Sequence, residues 1–164
     1  MIKEKELVLL SHFRNNSRIS LTSLSKMTHI PVSTIFDKLK YYEKNELIKK
    51  HTTILDFRKL GYELKIQILI TAKRDNRDEL QKFLISYSRV NTIYRINNGY
   101  DFLIEAYFKN MQELDEFMQK LDLYEPAEKK EFFVMEDIKR EEFLTNKKNI
   151  GVLNWKFNNN SPNK

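Results

Sequence analysis

The sequence predicts an α+β fold in which an N-terminal winged helix-turn-helix is followed by a ferredoxin-like βαββαβ domain. Apolar residues in the first third of the chain recur at the three- and four-residue spacing of amphipathic helices. From residue 62 onward, segments with the alternating pattern of strands take turns with helical segments in the order β-α-β-β-α-β. The excess positive charge lies in the first part alone, since residues 1–61 hold 12 Lys/Arg against 6 Asp/Glu and residues 62–164 hold 17 of each.

This charge distribution favours a nucleic-acid partner for the first part of the chain. The net charge of the whole chain is +6, and all of it falls within residues 1–61. A domain that neutralises DNA phosphates gains affinity because condensed counterions are released. We therefore expect double-stranded DNA as the partner, although a basic surface that merely keeps the domain in solution is the plainer alternative.

Composition excludes several other classes of protein. Hydrophobic residues make up 41% of the chain, as in folded proteins, but no apolar run is long enough to cross a bilayer and no signal peptide opens the chain. We expect a cytoplasmic protein without a membrane partner. The absence of cysteine excludes disulfides and thiolate zinc sites. His12, His29 and His51 lack the spacing of metal ligands and no nucleophile motif occurs, so we expect no metal, no cofactor and no catalytic residue.

The first two helices are short. The first is expected from Lys3 to about Asn15, with its apolar residues on one side. The second is expected at 21–28, where Ser20 is a plausible N-cap and Leu24 and Met27 share a face.

The third helix is expected to run from Ile30 to Ile48 and to carry two different faces. Pro31 opens it, because proline costs nothing at a position whose N–H has no helical partner. Its buried stripe is predicted to consist of Ile35, Leu39 and Tyr42. With the second helix and a tight turn it forms a helix-turn-helix, whose second member enters the major groove of DNA. An ordinary helical hairpin with a solvated polar face is the alternative.

The candidate DNA-binding residues lie on the polar face of the third helix and around it. Side chains expected to face base edges or nearby phosphates are Ser33, Thr34, Asp37 and Lys38. Side chains expected to contact the DNA backbone are Arg18, Lys26, Lys40, Tyr41, Lys49, Lys50 and His51.

A wing is predicted directly after the third helix. Leu47-Ile48 and the segment 52–55 are interpreted as two short strands around the basic turn 49–51. A hairpin placed there would meet backbone phosphates. A solvated hairpin tip that is basic by chance is the alternative.

The expected boundaries are 1–55 for the DNA-binding domain, 56–61 for a connector, 62–138 for the second domain and 139–164 for a charged, Asn-rich tail. Within the second domain, the expected strands are 62–72, 90–96, 100–108 and 131–138, and the expected helices are 75–87 and 111–121. The hairpin turn is placed at 97–99, because Asn and Gly tolerate positive φ. Trp155 and Phe157 suggest that part of the tail docks.

One face of the predicted sheet lacks a cover. Both helices of a ferredoxin-like unit lie on the same side, yet the strands carry apolar residues on both sides, as at Phe102-Leu103-Ile104 and at Leu69. An apolar face without a cover needs a partner, most simply a second copy of the chain. We therefore expect a homodimer or a higher homo-oligomer through the second domain.

The ordered set of these features resembles the leucine-responsive regulatory protein/AsnC (Lrp/AsnC) family of archaeal and bacterial transcription regulators, in particular its archaeal type. The resemblance covers residues 2–138. It is carried by 17–20 before the second helix, 30–35 at the start of the third, 48–61 through the wing and connector, and 98–101 at the central hairpin. It implies a sequence-specific DNA-binding regulator that dimerises through a ferredoxin-like domain and commonly binds an amino-acid effector. The candidate effector-binding residues are Asn98, Gly99, Tyr100 and Asp101.

The chain departs from the family pattern at three positions. Asn98 stands where the family usually has a glycine three residues before the aspartate. Glu46 replaces the glycine that usually ends the segment of the third helix. Lys38 stands where the family often has arginine, which keeps the charge but loses bidentate geometry.

Two other hypotheses remain open from the sequence. Siroheme decarboxylase subunits are similar to this family and act on a tetrapyrrole, but they need no basic first domain. A dimer whose winged domain contacts protein rather than DNA is the other hypothesis, and its positive charge would be incidental.

Overall fold

The computed structural model describes residues 3–145, apart from the side chain of Glu4, and Trp155 and Phe157 lie outside this range. Contacts divide the described chain into one unit formed by 3–53 with 139–145 and a second unit formed by 54–138. The first unit contains α1 (Glu4–Asn15), α2 (Leu21–Thr28) and α3 (Val32–Lys44). The second unit contains β1 (Leu64–Thr71), α4 (Arg77–Ser86), β2 (Val90–Arg95), β3 (Phe102–Phe108), α5 (Met111–Asp122) and β4 (Glu128–Phe133), with short 3-10 turns at Arg58–Leu60 and Arg74–Asn76.

The first unit packs its three helices around a small apolar core. The Ser20 hydroxyl accepts a hydrogen bond from the Ser23 backbone N–H at 3.1 Å, which confirms the predicted cap of α2. The predicted stripe of α3 is also confirmed: Ile35, Leu39 and Tyr42 are buried in one cluster with residues of α1 and α2. Met27, expected to share the face of Leu24, is instead 50% exposed.

The third helix ends at Lys44, four residues before the predicted end. The Asn45 side chain donates a hydrogen bond to the Tyr41 carbonyl at 2.8 Å, and Glu46 adopts a φ of 55°. A left-handed residue cannot continue a right-handed helix, and glycine adopts this conformation with least strain. This explains why the resembling family usually has glycine where this chain has Glu46.

The predicted wing strands are absent from residues 46–56. Two-stranded hairpins are only marginally stable unless their strands pack on something else. Here the segment is held by side chains instead, because Ile48 packs against the core and the His51 ring stands edge-on to Phe13 at 5.5 Å. Ile54 and Leu55, which the predicted second strand contains, are exposed.

The second unit has the predicted βαββαβ order, and its antiparallel sheet has the strand order β2-β3-β1-β4. Ile66, Ile68 and Ile70 are fully buried beneath α4 and α5, as the alternation in β1 predicts. The hairpin turn is confirmed as well, since Asn98 and Gly99 have φ of 65° and 90°.

The last strand lies earlier than the predicted 131–138. It pairs with β1 from Glu128 opposite Thr71 to Phe133 opposite Ile66. After Phe133 only the Val134 N–H continues toward β1, donating to the Lys65 carbonyl at 2.9 Å. The prediction was misplaced because the first half of β4 is charged and lacks the apolar alternation of a strand.

The sheet face without helices divides into two parts. At one end, Phe57 packs on Tyr107 at 4.5 Å, and Lys65 binds Glu105 at 3.1 Å and Asp137 at 2.5 Å. Burial disfavours the charged form of Lys65, but the hydrogen bonds that its ammonium group donates to Asp137 and Glu105 outweigh the burial and raise the pKa of this group.

The rest of this face is open and mixes apolar with charged residues, since Lys130 is the β4 partner of Leu69 and Glu128 is the partner of Thr71. Leu69 and Leu103 are register partners at its centre. Tyr94, which is 56% exposed, lies beside Leu103, and Phe132, which is 51% exposed, lies across β1 from β3. We call Leu69, Tyr94, Leu103 and Phe132 the open apolar face.

The segment after the second unit returns to the first. The Arg14 guanidinium on α1 donates to the Glu141 carboxylate at 2.7 Å and to the Phe143 carbonyl at 2.6 Å. Residues 139–145 are therefore held against α1 rather than forming an independent tail. Within the described part of the chain, no helix is long and apolar enough to span a bilayer.

Candidate nucleic-acid interface

The exposed face of α3 lies opposite its buried stripe. Because successive residues are about 100° apart on a helix, the stripe at Ile35, Leu39 and Tyr42 directs the intervening positions to solvent. The side chains exposed on α3 include Ser33, Thr34, Asp37, Lys40 and Tyr41, all of them predicted DNA contacts. Their hydroxyl, carboxylate and ammonium groups supply both donors and acceptors for base edges and phosphates.

Lys38 points elsewhere. Its ammonium forms an ion pair with Glu6 of α1, in which the Lys38 side chain is 31% and the Glu6 side chain 16% exposed. The hydrogen bond from Lys38 and a second one from the Lys3 backbone N–H at 2.7 Å hold the pKa of Glu6 below its usual value. Because that pKa is lowered, the stabilisation from this pair is present above pH 4.5 and is lost as the pH falls through the lowered value.

Tyr42 lies beside this ion pair. Its hydroxyl is buried close to the Glu6 carboxylate, without a hydrogen bond of regular geometry within the described residues. Burial, followed by the negative charge of Glu6, raises the pKa of Tyr42 to about 12. The carboxylate of Glu6 therefore faces both a cation and a neutral hydroxyl on α3, which fixes one flank of that helix against α1.

The remaining predicted backbone contacts divide into two groups. Arg18, Lys26, Lys49 and Lys50 have exposed side chains that point into solvent. The His51 imidazole instead lies 3.0 Å from the Glu43 carboxylate and edge-on to Phe13. The basic segment 49–51 is thus attached to the end of α3 through His51.

Sequence reasoning missed two residues on the exposed side of α3. Val32 is 41% and Phe36 46% exposed, and they lie one turn apart on the same face. The Lys40 ammonium sits over the Phe36 ring, 4.3 Å from its centroid. The sequence offered no separate signal, because positions 32, 35, 36 and 39 together form the i, i+3, i+4, i+7 pattern of a buried helix face.

The predicted effector residues lie at the β2–β3 hairpin of the second unit. One oxygen of the Asp101 carboxylate accepts from the Ala72 N–H at 2.8 Å, and the other binds the Arg77 guanidinium. The Gly99 carbonyl accepts from the Thr71 hydroxyl at 2.8 Å. Asp101 and Gly99 therefore anchor the hairpin to the end of β1, while the Asn98 side chain is exposed at the tip.

Tyr100 belongs to a small polar group beside this anchor. Its hydroxyl donates to the Glu128 carboxylate at 3.2 Å, and the Lys130 ammonium lies 5.4 Å from its ring centroid. Lys130, which also binds Glu128 at 3.0 Å, lowers the pKa of that carboxylate. No cluster of three or more His, Asp or Glu side chains that would hold a metal occurs in residues 3–145.

Comparison with known proteins gives the family. Residues 65–143 match the family model for the Lrp/AsnC ligand binding domain. The HTH-type transcriptional regulator FL11 of Pyrococcus horikoshii is 30% identical over 105 residues, which are 64% of this chain and 70% of that protein. An uncharacterized HTH-type transcriptional regulator of Pyrococcus abyssi is 25% identical over 143 residues, 87% of this chain and 97% of that protein.

Solved structures share the fold. A transcriptional regulator of Neisseria meningitidis in complex with L-methionine has a TM-score of 0.79 at 18% identity, over 85% of this chain and 94% of that one. LrpC of Bacillus subtilis has a TM-score of 0.75 at 16% identity, over 85% of this chain and 97% of that one. The relatives are named as regulators, which removes the tetrapyrrole-enzyme hypothesis. The chain belongs to the Lrp/AsnC family of DNA-binding transcription regulators, which are not enzymes.

Proposed function

We propose that this regulator binds double-stranded DNA in the cytoplasm through a helix-turn-helix formed by α2 and α3, and that it acts as a homodimer or larger homo-oligomer. The observation that carries the proposal is the exposed polar face of α3, directly opposite a fully packed stripe, within residues 1–61, whose net charge equals that of the whole chain. Because the outer face of any amphipathic surface helix is polar, it is the positive charge of residues 1–61 and the relatives named as HTH-type regulators that favour DNA as the partner.

The proposed contacts follow from exposure and geometry. Ser33, Thr34 and Asp37 face base edges, and Asp37 accepts from the amino group of a cytosine. Lys38 joins them only if DNA displaces it from Glu6. The proposed backbone contacts are Arg18, Lys26, Lys40, Tyr41, Lys49, Lys50 and His51. In place of a wing, the segment 49–51 supplies basic side chains from a stretch without strand pairing.

Salt dependence tests the phosphate contacts. A Lys49→Ala/Lys50→Ala double variant should weaken binding to all DNA sequences alike and should flatten the slope of log K against log salt by about 0.9 for each phosphate that is no longer neutralised. The measurement is a fluorescence-anisotropy titration of the full chain at several salt concentrations. A Lys82→Ala/Lys109→Ala variant, which removes the same charge from exposed sites of the second unit, should keep the wild-type slope.

The same titration checks the role of Glu6. Glu6→Gln removes the charge that holds Lys38, yet glutamine retains the acceptor that caps α1 at the Lys3 N–H. Release of Lys38 should steepen the salt slope by about 0.9. Wild-type slopes in both the double lysine variant and Glu6→Gln would contradict DNA binding through this surface.

For assembly, we propose that the open apolar face pairs with the same face of a second copy. It combines a central Leu69/Leu103 pair with two aromatic rings that are about half exposed. A face of this kind on a β-sheet is unfavourable in water and self-complementary about a two-fold axis.

We further propose an amino acid as effector at the hairpin 98–101. Two similar structures contain L-methionine, one from Neisseria meningitidis and one from Mycobacterium tuberculosis. Because Asp101 is already bound to Arg77 and Ala72, the hairpin offers Asn98 and the group around Tyr100 for the ligand rather than the Asp101 carboxylate. Calorimetric titration of the full chain with L-methionine should show saturable heat that Asn98→Ala weakens, and a flat titration would contradict this effector.

A further inference from the structure

The exposed side of α3 is not wholly polar. Val32 and Phe36 leave 41% and 46% of their surface exposed, and both lie within the first turn and a half of the helix. They lie on the flank away from Lys38, and so outside the contact that Lys38 makes with α1. An exposed phenylalanine forgoes hydrophobic stabilisation that burial would supply.

The surroundings of Phe36 favour an anionic partner over an apolar protein surface. The Lys40 ammonium lies 4.3 Å from the centre of its ring, and Lys44 is exposed one turn further along. An apolar protein that covered Phe36 would also desolvate these cations without neutralising them. Duplex DNA neutralises them with phosphates while presenting apolar groups in the major groove.

The position of Phe36 on the helix indicates which apolar group of the DNA it would contact. In a helix-turn-helix, the N-terminal residues of the second helix contact base edges. The apolar group that base edges present in the major groove is the C5-methyl of thymine, and phenylalanine is among the side chains that contact it.

We propose that Phe36, with Val32 beside it, contacts thymine methyl groups in the major groove and thereby selects thymine at one or more positions of each half-site. This specificity rests on the proposed binding of DNA by α3. In the same complex, the Lys40 ammonium, which lies over the Phe36 ring, would bind a flanking phosphate or the edge of a guanine.

The expected size of the effect follows from the methyl group alone. Burying one methyl-sized group contributes about 0.8 kcal/mol, which corresponds to about fourfold in affinity at 25 °C. Deoxyuridine lacks this methyl group but pairs as thymidine does. Replacement of thymidine by deoxyuridine therefore isolates the contact without changing the hydrogen-bonding pattern of the groove.

The experiment uses the full chain. Preferred duplexes are first selected from a random library, and each thymidine is then replaced in turn by deoxyuridine. For the wild-type protein, at least one replacement should weaken binding about fourfold. For Phe36→Ala and Phe36→Gln, at least one thymidine that the wild type distinguishes from deoxyuridine should no longer be distinguished, because the side chain that contacts its methyl group is gone. Ile85→Ala, which removes an exposed side chain from α4, should discriminate as the wild type does.

The outcomes separate this inference from the proposed function. Loss of salt-dependent binding by the wild-type chain would contradict DNA binding itself. If the wild-type chain binds with normal salt dependence but no deoxyuridine replacement changes its affinity, the proposed methyl contact is wrong while DNA binding by α3 still stands. The methyl contact is equally contradicted if the Phe36 variants bind all duplexes more weakly but still distinguish thymidine from deoxyuridine. Circular dichroism melting curves show whether both Phe36 variants keep the wild-type fold.

Discussion

A Leu103→Asp variant should scatter light as a monomer, whereas the wild-type chain should show at least twice that mass. Leu103 lies at the centre of the open apolar face, opposite Leu69 in the register of β1 and β3. In the proposed dimer, this substitution would place an unpaired carboxylate in a dry interface at a cost of about 3–5 kcal/mol. Each 1.4 kcal/mol changes the dissociation constant tenfold, so the dissociation constant of the dimer should rise by about two to three and a half orders of magnitude.

The control for this variant is Leu123→Asp, at an exposed residue just after α5, which adds the same charge away from the sheet. Leu69→Asp provides a second change on the same face, in case Leu103→Asp disturbs β3. If both sheet variants keep the wild-type mass and a cooperative thermal transition, pairing through this face is wrong. If Leu123→Asp also dissociates, net charge rather than the face controls assembly.

The parts of the fold that were predictable have strong local patterns. The alternation of Ile66, Ile68 and Ile70 identifies β1 and its buried face, because side chains of a strand alternate between faces. Asn98 and Gly99 identify the hairpin, because both tolerate the positive φ that the turn adopts. In these cases a few neighbouring residues determine the conformation.

The predictions that failed concern segments whose conformation depends on distant contacts. The strand β4 carries charges at Glu128 and Lys129, and it is a strand because β1 offers a free edge to pair with. The predicted wing lacks strands because Ile48 and His51 attach the segment to α1 and α3 individually. Local propensity does not contain such contacts.

The candidate site shows the same division. The helical period separates the buried stripe of α3 from its exposed face, so Ser33 and Asp37 could be chosen from the sequence. The ion pair between Glu6 and Lys38 could not be, because it joins residues 32 positions apart on two helices. Phe36 was missed because an apolar residue on a helix is usually assigned to the core.

Insertion of about half a helical turn, roughly 5 base pairs, between the half-sites of the preferred operator should reduce affinity toward that for scrambled DNA. If the second unit pairs two chains, two α3 helices are presented with two-fold symmetry. The operator should then be a pseudo-palindrome with half-sites about 34 Å apart, or a multiple of that distance. The affinity of a protein for its specific DNA site commonly exceeds its affinity for non-specific DNA by about 10³-fold or more.

The insertion should remove most of that advantage, because the second half-site moves to the opposite side of the duplex. The measurement is a competition assay of the full chain on operators with inserts of increasing length. Affinity should recover in part when the insert reaches a full turn of about 10 base pairs, since both half-sites then face the same side again. Leu103→Asp should bind every spacing alike, with weak, salt-dependent affinity. Indifference of the wild-type chain to spacing would show that its two DNA-binding units are not held in a fixed pair, even if the second unit dimerises.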